Sequence, residues 1–217
     1  MKLSLNSAVA ALVLAAPLFA SAAEYEIDAQ HSSANFGVKH LVVSTVKGSF
    51  SKVTGTINLD EKDITKSTVN AVIDATSINT NQAQRDEHLR SPDFFDTAKY
   101  PTITFKSSKV EKAGEGLKVM GDLTLHGVTK PVTLDVTGFD KDVTAMGFTK
   151  RGGSATTKID RKDFGLNWNK AIEAGGVAVG DEVKIELELE INKKQAAAAA
   201  APAAPATPAK PAAKGTK

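Results

Sequence analysis

Five apolar residues at every second position, Val183, Ile185, Leu187, Leu189 and Ile191, alternate with Lys184, Glu186, Glu188 and Glu190. A period of two places one set on each face of an extended strand, so this segment has one face in water and one face buried. The same alternation recurs at Val69, Ala71, Ile73 and Ala75, at Leu117, Val119, Leu123 and Leu125, and at Val132, Leu134 and Val136. Strands with one solvated face pair antiparallel. Turn signals at Ala113-Gly114-Glu115-Gly116, His126-Gly127 and Gly175-Gly176 separate them as hairpin or meander connections. Between Val46 and Leu59 the apolar phase passes from even positions (Val46, Phe50) to odd ones (Val53, Ile57, Leu59), which a bulge or bend would explain. The expected fold is all-β, an antiparallel sheet curled into a barrel. A barrel of about eight strands has interior room for side chains or for one ligand, and periodicity does not separate the two cases.

One helical segment interrupts this pattern. Asn81 followed by Gln84 fits a capping-box start, and Pro92 closes the segment after Ser91. The turns between hold Arg85, Asp86, Glu87 and His88, with Leu89 as the one bulky apolar side chain. So polar a helix has no wide face to bury, and Leu89, Phe94 and Phe95 are expected to fasten it to the barrel as a lid.

The ends differ in kind from the middle. Residues 1–22 carry Lys2, an apolar run from Ala8 to Ala20 and the small-x-small sequence Ala20-Ser21-Ala22, a signal peptide by pattern, with cleavage after Ala22 or Ala23. Export to the periplasm is the expectation. Residues 193–217 are rich in Ala, Pro and Lys and hold no large apolar side chain, so they read as a disordered tail. Six of the 27 lysines and arginines lie in these two ends, leaving 21 bases against 25 acids in residues 23–192, a net charge of −4. A mildly acidic body argues against nucleic-acid binding. The basic tail is a candidate for transient contact with a membrane surface.

No cysteine is present, which removes disulfides, thiol nucleophiles and thiolate metal sites. His31, His40, His88 and His126 show no i, i+4 pairing, and only a convergence of His31, His40 and His126 on a carboxylate would make a metal site; hydrogen bonding in turns is the expected role. There is no G-x-S-x-G elbow, phosphate loop or H-E-x-x-H sequence. Ser32 and Ser33 follow His31, but neighbouring strand residues point to opposite faces and form no nucleophile-base pair by adjacency. No catalytic residue and no metal ligand is expected.

Five segments together resemble one family: DAQHSSANFGVKHL (28–41), VKGSFSKVTGTINLD (46–60), SINTNQAQRDEHLRSPDFFDTAKYPTITFKSS (77–108), GDLTLHGVTKPVTL (121–134) and IDRKDFGLNW (159–168). In this order the chain resembles the YceI-like proteins, a lipid- and polyisoprenoid-binding family of exported bacterial proteins, over residues 23–192. The resemblance implies a lipocalin-like antiparallel β-barrel whose apolar cavity takes a long isoprenoid chain, an isoprenoid quinone or a polyprenyl phosphate, with no cofactor and no catalytic activity attached to the shared motifs. The function it implies is a periplasmic carrier. The rivals are a stress-protective interaction domain whose barrel is filled by its own side chains, and an enzyme acting on an isoprenoid lipid. Oligomeric state stays open, a dimer included.

Phe36, Phe50, Phe94, Phe95, Phe105, Phe164, Leu166 and Trp168 lie in or beside these segments and are candidates to line the cavity with Leu89, ordinary core packing being the alternative. Arg85 and His88 stand before the two phenylalanines, and Asp160-Arg161 before Phe164. An arginine at a cavity mouth can grip a phosphate or quinone oxygen, or it can tie a helix to a strand end.

Overall fold

The computed structural model describes residues 22–171 and 176–195. Twelve strands follow in chain order: Ala23–Ile27 (β1), Ser33–His40 (β2), Ser44–Phe50 (β3), Val53–Leu59 (β4), Thr68–Asp74 (β5), Ile78–Asn79 (β6), Thr102–Ala113 (β7), Gly116–Leu125 (β8), Val128–Gly138 (β9), Val143–Ala145 (β10), Phe148–Asp160 (β11) and Val179–Lys193 (β12). One α-helix, Ala83–Arg90 (α1), lies between β6 and β7.

All pairings between these strands are antiparallel, and eight strands close a ring in the order β12, β1, β4, β5, β7, β8, β9, β11 and back to β12. The long alternating strand read from the sequence is the seam that closes it. One edge of β12 pairs with β11 from Asp160↔Glu182 to Lys150↔Asn192. Its other edge is shared, β1 taking Ile191–Lys193 and β2 taking Val179–Glu188.

β3 and β4 divide in the same way, β3 pairing with β2 and β4 with β1. The phase change between Phe50 and Val53 is therefore the end of one strand and the start of another at Ser51-Lys52, not a bulge within a strand. At this split β2, β3 and β6 peel away from the ring, and β6 ends the hydrogen-bonded order. The segment from Thr80 to Tyr100, with α1 inside it, connects that end to β7.

Two hairpins fall where the glycines predict, while the third glycine signal, Gly175-Gly176, has Gly175 outside the described residues. β7 turns into β8 at Gly114 (φ +59°), and β8 into β9 at His126-Gly127, both left-handed (φ +52° and +75°) as a two-residue hairpin turn requires.

The helix start differs from the capping-box reading. The Asn79 side chain accepts a hydrogen bond from Asn81 N at 2.7 Å, Asn81 turns left-handed (φ +61°), and the N-cap passes to Gln82, whose side chain accepts from Arg85 N. An Asx turn thus competed with the box and won. Nor is α1 held by apolar contacts alone. Asp86 is buried and accepts from Thr80 N at 2.8 Å and from the Thr80 hydroxyl; Arg85 donates to Thr80 Oγ1 and Thr80 O; and Arg90 donates to Thr76 O and Ile78 O. Charged hydrogen bonds to backbone, worth more than neutral ones, anchor a helix too polar to bury itself.

At its C-terminal end β12 includes Lys193, and Lys194 continues it by donating its N–H to Glu24 O at 2.8 Å. Lys193 pairs with Glu61 and Lys194 with Glu24 and Glu26, so two lysines assigned to the basic tail belong to the barrel rim. The rest of that tail, residues 196–217, and the signal-peptide residues 1–21 lie outside the described residues.

Candidate functional site

The inward rows of the barrel stop short of burial. Ile191 is fully buried, yet Val183, Ile185, Leu187 and Leu189, which share its face of β12, are only half-buried. What exposes them is an internal cavity of about 410 Å³, lined by all five. The hollow runs between the two ends of the barrel, from Ile64 and Leu59 to Val38 and Trp168.

Glycines help keep it open. A Cβ on Gly48 would meet the Phe36 ring at 2.4 Å, one on Gly121 the Phe105 ring at 2.6 Å, and one on Gly153 the Phe139 ring at 2.4 Å. All three rings line the cavity. Each lies flat over a glycine of its own wall, in space a side chain would otherwise fill, and so spans less of the lumen.

The lid end carries the aromatic cluster. Phe94 is buried, with its ring centroid 5.1 Å from that of Trp168 and 5.0 Å from that of His88. Phe95 meets Phe50 edge-on at 5.6 Å, and Phe50 packs on Phe36 at 5.7 Å. Leu89 faces the same space. Of the residues read from the sequence, Phe36, Phe50, Arg85, His88, Leu89, Phe94, Phe95, Phe105, Leu166 and Trp168 all line the one cavity. Phe164 does not. It lies in the close-packed core, 2% exposed, in a turn whose carbonyl contacts His126 Nδ1 at 3.2 Å. Sequence reading overlooked Phe139 on the cavity wall, and Lys39 and His40 at its mouth. The last two stand inside the segment 28–41, so the motif held them; Phe139 follows β9 with no pattern around it.

The charged side chains that line the cavity are all basic: Lys39, Arg85 and Arg161, together with His40 and His88. No aspartate or glutamate is among its described lining residues. Arg161 is spoken for structurally. It is 3% exposed and donates to the carbonyls of Leu166, Trp168, Val179 and Gly180 and to Asp181, which ties the Leu166–Trp168 segment to the start of β12. Arg85 also spends part of its fork on Thr80. Lys39 has no ion-pair partner among the described residues.

The histidines do not converge. His126 sits in its turn with Tyr100 edge-on at 4.9 Å, His40 ends β2 at the cavity mouth, and His31 bonds Asp28 at 3.0 Å. Asp28, His31 and Glu190 do bring three possible metal-ligand atoms within 4.8 Å of one another, but Lys150 Nζ already bridges Asp28 and Glu190. The group works as an ion-pair corner where β1 gives way to β2. Its hydrogen bonds from His31, Asn192, Lys150 and Gln30 N hold the Asp28 carboxyl far below the usual carboxylate range.

The sequence profile of the YceI-like domain matches residues 25–191. The chain belongs to the YceI-like family. It is 46% identical over 169 residues to a UPF0312 protein of Vibrio parahaemolyticus, covering 76% of this chain and 89% of the relative. It is also 46% identical over 149 residues to Protein YceI of Escherichia coli, covering 68% and 78% of the two chains. Among solved structures, a polyisoprenoid binding domain from Saccharophagus degradans shares the fold with a TM-score of 0.58 at 21% identity, covering 80% of this chain and 99% of that one. The lipocalin-like barrel expected from the resemblance is thus the fold of this YceI-like chain.

Proposed function

We propose that this YceI-like protein is a periplasmic carrier that shields one long isoprenoid chain from water without transforming it. The observation that supports this best is the cavity itself. An apolar hollow of about 410 Å³ leaves wall side chains such as Val183, Ile185, Leu187 and Leu189 without packing partners and open to water through the mouth, at a cost in stability. Filling it offsets the cost, because each ligand methylene moved from water into such a wall contributes about 0.8 kcal/mol. A barrel packed by its own side chains, the structural rival, would leave no such volume.

The lining supports a ligand of two parts. Its apolar length suits a hydrocarbon chain, and basic groups at one end, with no Asp or Glu in the lining and no ion pair on Lys39 among the described residues, suit an anionic or oxygen-rich head, as in a polyprenyl phosphate or an isoprenoid quinone. The structural neighbour from Saccharophagus is itself a polyisoprenoid binding domain. The enzyme reading needs a general base or nucleophile aimed at the head group; the carboxylate-paired histidine there, His88 on Asp93 at 2.9 Å, has its ring packed edge-on against Phe94 and Trp168 as part of the wall.

Leu187→Trp tests the proposal by narrowing the cavity midway along β12. Uptake of a polyprenyl phosphate should fall at least tenfold with the melting temperature held or raised. Unchanged uptake would place the ligand elsewhere.

A further inference from the structure

The hairpin joining β2 to β3 carries the most exposed aliphatic run among the described residues. Val42 is 76% and Val43 86% exposed, beside Leu41 at 39%. Leu41 and Val42 are also left-handed (φ +52° and +61°), a conformation β-branched residues rarely adopt. A turn optimised for water would place Asn, Asp or Gly here. Two aliphatic side chains are instead held outward at a cost in backbone strain, and such strain persists where it serves a site.

This tip adjoins the cavity mouth. His40 and Lys39, the last residues of β2, line the opening, and Leu41 N bonds Ala178 O at 2.9 Å, continuing the β2–β12 ladder to the base of the tip. Lys39 and Lys47, one on each strand of the hairpin, have no ion-pair partner among the described residues. At the opposite end of the barrel the rim lysines are neutralised, Lys193 by Glu61 at 3.0 Å and Lys194 by Glu24 at 2.7 Å. The mouth end is thus apolar-tipped, basic at Lys39 and Lys47, and open; the opposite end has its own exposed hairpin, with Val143, Met146 and Phe148 between β10 and β11, but there the neighbouring Lys150, Lys193 and Lys194 are ion-paired.

We infer that the β2–β3 tip is a docking device that inserts Val42 and Val43 into the surface of an anionic lipid bilayer, setting the cavity mouth against the membrane from which the chain is taken. Apolar tips beneath a basic collar suit the boundary between acyl chains and anionic head groups. The inference rests on the reading of the cavity as a lipid site, and its test separates the two.

The full chain and two variants, Val42→Asp/Val43→Asp and Lys47→Glu, are sedimented with vesicles of phosphatidylethanolamine and phosphatidylglycerol. The same proteins are given a polyprenyl phosphate from detergent solution, with uptake read by Trp168 fluorescence. Aspartate tolerates the left-handed turn better than valine, so the double variant should melt no lower than the parent. The inference expects about tenfold weaker vesicle binding for each variant, with the Lys47→Glu loss vanishing at high salt, and unchanged uptake from detergent. Vesicle binding unchanged in both variants would overturn it. So would loss of self-association in the double variant with vesicle binding intact, which would make the tip a contact between copies. If no protein takes up the lipid from detergent but the vesicle losses appear, the cavity reading falls and the docking surface stands.

Discussion

The imidazole of His88 meets the indole of Trp168 edge-on, ring centroids 5.0 Å apart and planes at 90°. One ring comes from α1, the other from the segment that Arg161 ties to β12, so the lid and the seam of the barrel share one wall of the cavity mouth. Phe94 completes the wall against both. Phe94→Ala should lower affinity for a long-chain isoprenoid by about tenfold or more and cost about 3 to 5 kcal/mol of stability. Phe95→Ala, which removes a ring packed on Phe50, should weaken binding with a smaller stability loss because Phe95 is only half-buried. Paired titrations of binding and urea unfolding distinguish a cavity wall from plain core; affinity unaltered in both variants would remove the two rings from the site.

The three glycines beneath Phe36, Phe105 and Phe139 give a separate handle. Gly48→Ala, whose new methyl group would meet side chains only, places it where the edge of the Phe36 ring now lies, within 2.4 Å. The ring must lift into the lumen or strain the wall. Ligand uptake should drop several-fold while the empty protein loses less than about 3 kcal/mol, the range for overpacking. Uptake equal to the parent's would show that this ring is not what bounds the lumen.

Arg161 serves as a structural clamp. Its guanidinium satisfies four carbonyls from within the protein, and Arg161→Met would leave several buried acceptors unpaired. A loss of about 3 to 5 kcal/mol is expected on equilibrium unfolding. Lysine, without the planar fork, should rescue little of it. A mild effect would return Arg161 to the candidates for head-group binding.

Stability should also fall with acid. Asp28 is held far below its ordinary range by His31, Asn192, Lys150 and Gln30 N, and Asp74 and Asp142 are lowered chiefly by the Thr76 hydroxyl and Arg151 respectively. A carboxyl whose folded pKa is depressed stabilises the fold above the unfolded value of about 3.9, and this is lost as pH drops below it. Melting temperature should therefore decline below about pH 4, and Asp28→Asn should flatten part of that slope. A curve that climbs on acidification through this window would contradict the assignment.

How much of this was legible beforehand follows from what alternation encodes. Val183 to Ile191 announced which face of β12 turns inward, and the glycine turns located the β7–β8 and β8–β9 hairpins, so the antiparallel barrel could be read from residues alone. Alternation is silent on whether the interior is filled: Phe164 and Phe105 look alike in sequence, yet one is packed solid and the other borders the hollow. That difference depends on what lies opposite across the barrel, and the glycine that lets Phe105 lie flat is Gly121 on the neighbouring strand. The split of β3 from β4 was hidden for a related reason. A phase change marks that the chain turns, while its hydrogen-bond partners decide whether it also changes neighbours. Arg161 likewise reads as a surface charge until Leu166, Trp168, Val179 and Gly180 converge on it.

The central claim, that this hollow holds a long isoprenoid chain, is tested most directly by what leaves with the protein. The full chain is purified gently without detergent, extracted with organic solvent, and the extract examined by mass spectrometry beside that of Leu187→Trp. The account predicts a polyprenyl lipid near one per protein, sharply reduced in the narrowed variant. An extract free of isoprenoid that stays so after quinone and polyprenyl phosphate are offered back, from a barrel no less stable for being empty, would contradict it.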